Sequence, residues 1–447
     1  MRACLLATAA AAALTLLAAP AMAQDAPMDP NMPGMDHGAP ASEASMDPDM
    51  PGMDHGAHGM ATTGLFGAYP MTRDASGTSW QPDASVHGGI HSMLGDWMVM
   101  SHLTLNAVYD RQEGPRGDER GFVSGMAMVS ARRELANSDT LNLRAMLSPD
   151  PLMGAEGYPL LLAAGETADG STPLVDRQHP HDFFMELSAS YTHRLSDSDS
   201  LFLYAGLPGE PAFGPPAFMH RLSIQDSPEA PISHHWFDST HITFGVVTAG
   251  WVHDAWKLEV SRFRGREPDE HRWDIETGSL DSTSARVSFN PTERWALQAS
   301  WADVTSPEAL EPNVDERRWS ASAIYTQPVG DHGWWSTTAG WSLKQKDHED
   351  LTAFMLESAY RPNGDWTLFA RGEAVQTDEL TPGGGHGPVR DVSKVSVGAV
   401  RDWRVREGVT LGLGALYSLN FIPAALEPSY GGDPHGAMVF ARLKVGG

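Results

Sequence analysis

From about Gly95 onward the chain consists of segments eight to thirteen residues long in which apolar and polar side chains alternate. Turn-forming residues separate the segments. A period of two sends successive side chains to opposite faces of a strand, so each segment reads as a strand with one apolar face. The clearest runs from Trp97 to Tyr109: Trp97, Val99, Leu103, Leu105, Ala107 and Tyr109 form the apolar stripe, with Met98, Met100, His102, Thr104 and Asn106 opposite. Val123, Ala127, Val129 and Ala131 repeat the parity, as do Leu141, Leu143, Ala145 and Leu147. Phe183, Met185, Leu187, Ala189 and Tyr191 form a further stripe, and Val409, Leu411, Leu413, Ala415 and Tyr417 another. Several stripes end in aromatic residues, as expected where a strand meets the two interfaces of a bilayer.

The links carry a second signal. Strands are predicted to start near residues 97, 121, 139, 182, 200, 239, 255, 282, 294, 317, 334, 351, 365, 393, 408 and 436. Short turns such as 252–255, 290–293 and 404–408 largely alternate with long links at about 149–181, 208–238, 265–281, 303–316, 377–392 and 420–435. Short periplasmic turns alternating with long extracellular loops are the rhythm of an outer-membrane barrel. The expectation is an all-β, transmembrane, antiparallel up-and-down barrel of about 16 strands, with both termini periplasmic. A soluble β-sandwich would explain the alternation but not the rhythm. Hydrophobic content of 41% and a mean hydropathy of −0.30 fit this class, because only alternate strand residues need face lipid. No run after the N-terminal segment approaches the ~20 apolar residues of a spanning helix.

The first residues read as an export signal over 1–23. Arg2 supplies the positive start, Leu5 to Ala19 the apolar run, and Ala21-Met22-Ala23 the small-residue cleavage site. The single cysteine, Cys4, falls within this segment, which excludes disulfides and thiolate chemistry from the remainder. A formal net charge of −26 argues against nucleic acid as a partner and for attraction of cations. Residues 24–90 read as a disordered periplasmic tail, and 91–447 as the barrel with long extracellular or lumen-folded loops. In the tail, the twelve residues from Met28 to Ala39 recur at Met46 to Ala57 with only Asn31 replaced, by Asp49. Pro, Gly and Asp at this density cannot bury a core.

That repeat is the first candidate site. The repeat and the residues just after it carry Met28, Met32, Met35, His37, Met46, Met50, Met53, His55, His58 and Met60. Thioether sulfur is a soft ligand that selects Cu(I), and imidazole also suits copper. The Met-Asp-His-Gly units, the export signal and the following barrel resemble the copper resistance protein B group of outer-membrane proteins. The likeness is specific over about residues 25–60. It implies a role in periplasmic copper detoxification, with copper as ligand and periplasmic copper-handling proteins as partners. The loop blocks of the barrel look more like those of a widespread group of uncharacterised bacterial envelope proteins.

Strand parity supplies the second candidate, turning Met98, Met100, His102, Met126, Met128 and Met146 into the lumen. His241, Met355 and Met438 follow if their strands keep register. Ordinary packing by an adaptable side chain is the competing explanation. The third candidate is the pair of longest loops, with His179, His181, His220, His234, His235 and His241. His beside Asp and Glu can build nitrogen and oxygen metal sites, though these spacings match no fixed motif. Nothing resembles a nucleophile elbow, phosphate loop or zinc-hydrolase helix, so neither a catalytic residue nor an organic cofactor is expected. The function expected is copper handling or tolerance by sequestration or efflux. The alternative is a general or ligand-specific porin-like channel with no metal role.

Overall fold

The computed structural model describes residues 63–86, 88–346, 349–381 and 385–446. The export segment and the Met/His repeat lie outside the described residues. The described residues form nineteen strands. The first nine are β1 (Ile90–Leu94), β2 (Trp97–Gln112), β3 (Glu119–Glu134), β4 (Thr140–Leu147), β5 (Tyr158–Thr167), β6 (Pro173–Gln178), β7 (Phe184–Arg194), β8 (Asp199–Gly206) and β9 (Val246–His253). The rest are β10 (Trp256–Phe263), β11 (Ser282–Thr292), β12 (Trp295–Val304), β13 (Glu316–Val329), β14 (Gly333–Lys346), β15 (Glu349–Arg361), β16 (Trp366–Thr377), β17 (Arg390–Arg406), β18 (Val409–Phe421) and β19 (His435–Val445).

Strands β2 to β4 and β7 to β19 pair with their neighbours in sequence, and β19 pairs with β2, for example Ala441 with Ala107. The result is a closed antiparallel ring of 16 strands. Closure removes every free edge, the condition for strands to cross hydrocarbon. The short β1 completes the ring in one place. β19 covers β2 over Leu103–Gln112, and β1 folds back to cover Trp97–Ser101 on the same edge. Its two-residue turn has Gly95 first, at φ 60°, a backbone that a side chain would strain.

The predicted parity is the observed one. Leu411, Leu413, Tyr417 and Leu419 lie on the exposed outer surface, whereas Leu416, Ser418 and Asn420 are buried inside. Trp97, Trp256, Trp295, Trp335, Trp366 and Trp403 lie near the strand ends joined by short turns. Trp301, Trp319, Tyr417 and Phe421 lie toward the other end, giving the exterior two aromatic girdles.

Three departures from expectation share one cause, the filling of the lumen. First, residues 63–86, expected to belong to the disordered tail, are folded. Phe66, Tyr69 and Trp80 pack with Phe202 and Val252. Arg73 donates to the Asp254 carbonyl at 3.1 Å, and Ala84 N–H to Glu293 at 2.8 Å, so the segment seats at the short-turn end. Second, residues 234–241, where a strand was predicted to begin, form the short helix α1 (His234–Phe237) and a 3-10 turn (Ser239–His241). β9 starts only at Val246, so His241 reaches the interior from a loop and not by strand register. Third, a bulge opposite Met146 and Leu147 turns Met185 from the expected lipid face to a wholly buried position. The link 148–183 also contains the hairpin β5–β6, which strand counting missed.

The link 207–245 enters the lumen because its Phe213, Phe218, Ile224, Ile232, Trp236, Phe237, Ile242 and Phe244 have apolar surface to bury. Its backbone bonds to inward strand residues: Ala212 N–H to Ser261 and Gly214 N–H to Ser300. Ala217 N–H donates to Ser76 Oγ at 2.8 Å, joining this loop to the folded segment below it. Ion pairs between loop and wall complete the filling. Arg221 donates to both carboxylate oxygens of Glu357 at 2.7 and 2.8 Å and to Asp238 at 2.7 Å. Arg371 meets Glu229 at 3.2 Å, and Lys394 meets the same carboxylate at 2.6 Å.

Two expectations follow. Arg221→Met leaves Glu357 and Asp238 buried and uncompensated, so unfolding in denaturant should lose about 3–5 kcal/mol of stability. An unchanged midpoint would show that the loop is not held by this clasp. Leu356, exposed near the middle of β15, faces lipid. Leu356→Arg should cost about 2–4 kcal/mol in unfolding from lipid vesicles, the penalty for a cation at mid-bilayer depth.

Candidate functional site

The strands that carry inward methionines bring them side by side. Register sets His102 opposite Met128, Met128 opposite Met146, and Thr104 opposite Met126. His102, Met128 and Met146 thus form one row across β2, β3 and β4. Met100, Met126, Met128, Met146 and the bulged Met185 pack in one buried cluster with Ile242 and Phe244, and Met219 lies against it. Met355 and Met438 also face inward but belong to a separate apolar cluster.

A cavity of about 810 Å³ opens beside this cluster. Met98, Met100, His102, Met126 and Met128 line it from the wall, and Met219 and His220 from the long loop. His179 and His181 reach it from the segment after β6. The lining also carries charge of both signs, Arg132, Arg144, Arg361, Arg404 and Lys444 with Asp74, Asp150, Asp365 and Asp402. Arg132 stands opposite Met98 in the β2–β3 register, so thioether and charged side chains share this wall.

Five histidines gather next to the cavity. The rings of His181 and His241 stand 5.2 Å apart between centroids, as do those of His234 and His241. His179 lies 6.1 Å from His234 and 6.0 Å from His235. The sequence could not show this gathering, since His179 and His181 come from one loop and the others from another. His102 and His220 approach to 6.5 Å on the cavity side.

Two kinds of histidine can be told apart by their partners. His179 and His235 belong to an ionic network. His179 Nε2 lies 3.2 Å from Glu166, and His235 Nδ1 3.5 Å from Glu267. Arg272 pairs with Glu166 and Asp182. Burial works against charge on His235, but Glu267 overrides it and raises the pKa to about 9. The other three are held by Nδ1 alone. His181 Nδ1 is 2.8 Å from Asp150 Oδ2, His234 Nδ1 is 2.8 Å from Asp238 Oδ1, and His241 Nδ1 is 2.6 Å from the Asp238 carbonyl. Burial and the neighbouring imidazoles hold His241 well below the usual histidine range, and burial also lowers His234.

The sequence places Asp238 beside His234 and His235, where a carboxylate can orient imidazole, but it does not single out Asp150. Asp150 sits on a 3-10 turn (Asp150–Met153) after β4 and accepts from Gly125 N–H at 3.3 Å. The only sequence signal for it was the turn chemistry of Ser148-Pro149-Asp150. The tail candidates Met28, Met32, Met35, His37, Met46, Met50, Met53, His55, His58 and Met60 lie outside the described residues.

No family model matches this chain, and neither does any curated protein. Solved outer-membrane barrels do match. A loop-deletion form of OmpT, an outer membrane protein of Vibrio cholerae, is 10% identical, with 78% of this chain and all of that one covered and a TM-score of 0.46. An anion-selective porin from Comamonas acidovorans is 11% identical over 78% of this chain and 99% of its own, at a TM-score of 0.45. OmpF of Salmonella typhi, in complex with daunomycin, is 8% identical over 79% of this chain and 100% of its own, at 0.48.

Proposed function

We propose that this chain is an outer-membrane protein that handles copper, taking Cu(I) onto the thioethers of its luminal cavity. The observation that carries the reading is the grouping of Met98, Met100, Met126, Met128 and His102 on one cavity wall. Barrel lumens are ordinarily polar, so a concentration of thioethers there needs a reason. Thioether sulfur is a soft neutral ligand and favours Cu(I) over the hard cations of the envelope. Packing alone would be served equally by Leu, which is nearly isosteric. In this reading the Met/His repeat collects copper on the periplasmic side and the cavity receives it. The filled lumen suits stepwise handling better than free diffusion. Lipid, metal ions and periplasmic copper-handling proteins are the partners it implies.

Anaerobic titration with Cu(I) against a chromophoric competitor tests both parts. The quadruple variant Met98→Leu, Met100→Leu, Met126→Leu, Met128→Leu should lose at least one equivalent of Cu(I) relative to the full chain. Removal of residues 25–60 should lose further equivalents. Unchanged stoichiometry in the quadruple variant would sink the cavity assignment.

A ligand-specific porin-like channel without a metal role is favoured by a different observation. Arg132, Arg144, Arg361, Arg404 and Lys444 in the cavity lining outnumber its Asp74, Asp150, Asp365 and Asp402 and would draw anionic solutes. Planar-bilayer recording separates the readings. The channel reading expects anion-selective conductance indifferent to copper and to Met98→Leu with Met126→Leu. The copper reading expects low conductance that copper changes.

A further inference from the structure

We propose that His181, His234 and His241 form a second metal site in the lumen, an all-imidazole seat for a borderline divalent cation such as Zn(II) or Cu(II). This inference is independent of the thioether reading, because its donors are nitrogen only and come from loops.

Tautomer comes first. A ligating histidine characteristically passes its other ring N–H to a carboxylate or carbonyl, which fixes the ring and leaves one nitrogen for the ion. All three rings meet that condition, with Nδ1 engaged by Asp150, by Asp238 Oδ1 and by the Asp238 carbonyl. Asp238 is itself held by Arg221 at 2.7 Å and by Phe218 N–H at 2.9 Å, so one aspartate orients two imidazoles from a braced position.

The second observation is what the rings leave open. Nε2 of His181 and Nε2 of His241 are both buried and have no hydrogen-bond partner. A buried polar atom left without a partner is unfavourable by about 1–3 kcal/mol. Two such atoms on adjacent rings point to a missing electrophile. Neutral imidazole is also the form a metal requires.

Other cation-like clusters are weaker. Among the described residues, ligand atoms come within 4.8 Å of one another in Asp269, Glu270 and His271, where the exposed His271 is already held to Asp269 at 3.2 Å, and in Glu308, Glu311 and His386 with the neighbouring Asp378, Glu379 and His386. Lys344 and Lys346 already counter the latter carboxylates, and His386 is spanned by Glu311 and Asp378. The imidazole trio stands further apart than that limit. Zinc–nitrogen bonds of about 2.0–2.1 Å would therefore draw the rings inward. The unpartnered Nε2 atoms of His181 and His241 have no hydrogen bond to give up in doing so.

The test uses the full chain carrying His37→Ala, His55→Ala and His58→Ala, so that tail imidazoles do not contribute. Co(II) alone is titrated into the metal-free protein, and the visible d–d absorption of low-coordinate Co(II) is read. A single equivalent, displaced by Zn(II), is expected. His181→Gln and His241→Gln should abolish the band. Asp150→Asn, which frees the His181 ring, should weaken binding about 10–100-fold. His193→Gln, exposed at the end of β7, should leave the band unchanged. Heat-modifiable gel mobility checks that each variant is a folded barrel. Cu(II) bound to the same full-length background should show nitrogen hyperfine structure from three imidazoles. No band in the background protein, a band that survives both His→Gln changes, or fewer than three coupled nitrogens would overturn the site. Cu(I) binding reads the methionine cavity separately, so either assignment can fail without the other.

Discussion

A peptide group in hydrocarbon has no water to bond, so each N–H and C=O of a membrane strand must find its partner on a neighbouring strand. In this chain the requirement is met by the pairing of β19 with β2, supplemented by β1 where β19 ends. All else is arranged around that closure. The ring fixes which strand residues face inward, and the inward face decides what can enter. Because side chains alternate, a strand that shows Leu and Val to lipid can show Arg, Glu, Met and His to the lumen.

The lumen so created is wide enough to admit chain, and three of the described segments occupy it, among them 148–183, whose Leu160 and Leu161 are buried in one cluster with Trp236 and Phe237. Residues 63–86 seat at the short-turn end, and 207–245 fold in and meet them at Ala217 and Ser76. Charges taken out of water need partners, and the wall supplies them: Glu357 for Arg221, Arg371 and Lys394 for Glu229, Arg442 and Lys444 for Asp226. Arg221 links this electrostatic filling to the candidate chemistry. It holds Asp238, and Asp238 holds His234 and His241. Scaffold and site are therefore consecutive links of one hydrogen-bonded chain.

Much of this was legible in the residues. The parity of Trp97 to Tyr109 put Met98, Met100 and His102 inside, and Val123 to Ala131 did the same for Met126 and Met128. Predicted strand starts fall close to the observed ones except at 239. That exception is informative. The residues just after 239 run Thr240-His-Ile-Thr-Phe-Gly-Val-Val-Thr248, β-branched enough to pass for a strand, yet the strand begins only at Val246, because the preceding loop turns inward and buries Trp236 and Phe237 in the luminal core. Met185 was lost to a bulge, a one-residue change that alternation cannot register. The fold of residues 63–86 was hidden by polar, Pro- and Gly-bearing composition. Phe66, Tyr69 and Trp80 are the residues that belied it, and each needed a surface that only the closed barrel offers.

By itself the sequence determined the strand ring, its parity and the inward set of methionines, because these follow from a local period of two and from the length of each link. Tertiary structure alone decided that His179 and His181 would meet His234, His235 and His241, and that Asp150 and Asp238 would orient three of them. Those contacts join loops far apart along the chain and depend on how two segments share one enclosed volume, a matter of packing and charge pairing that no local pattern encodes.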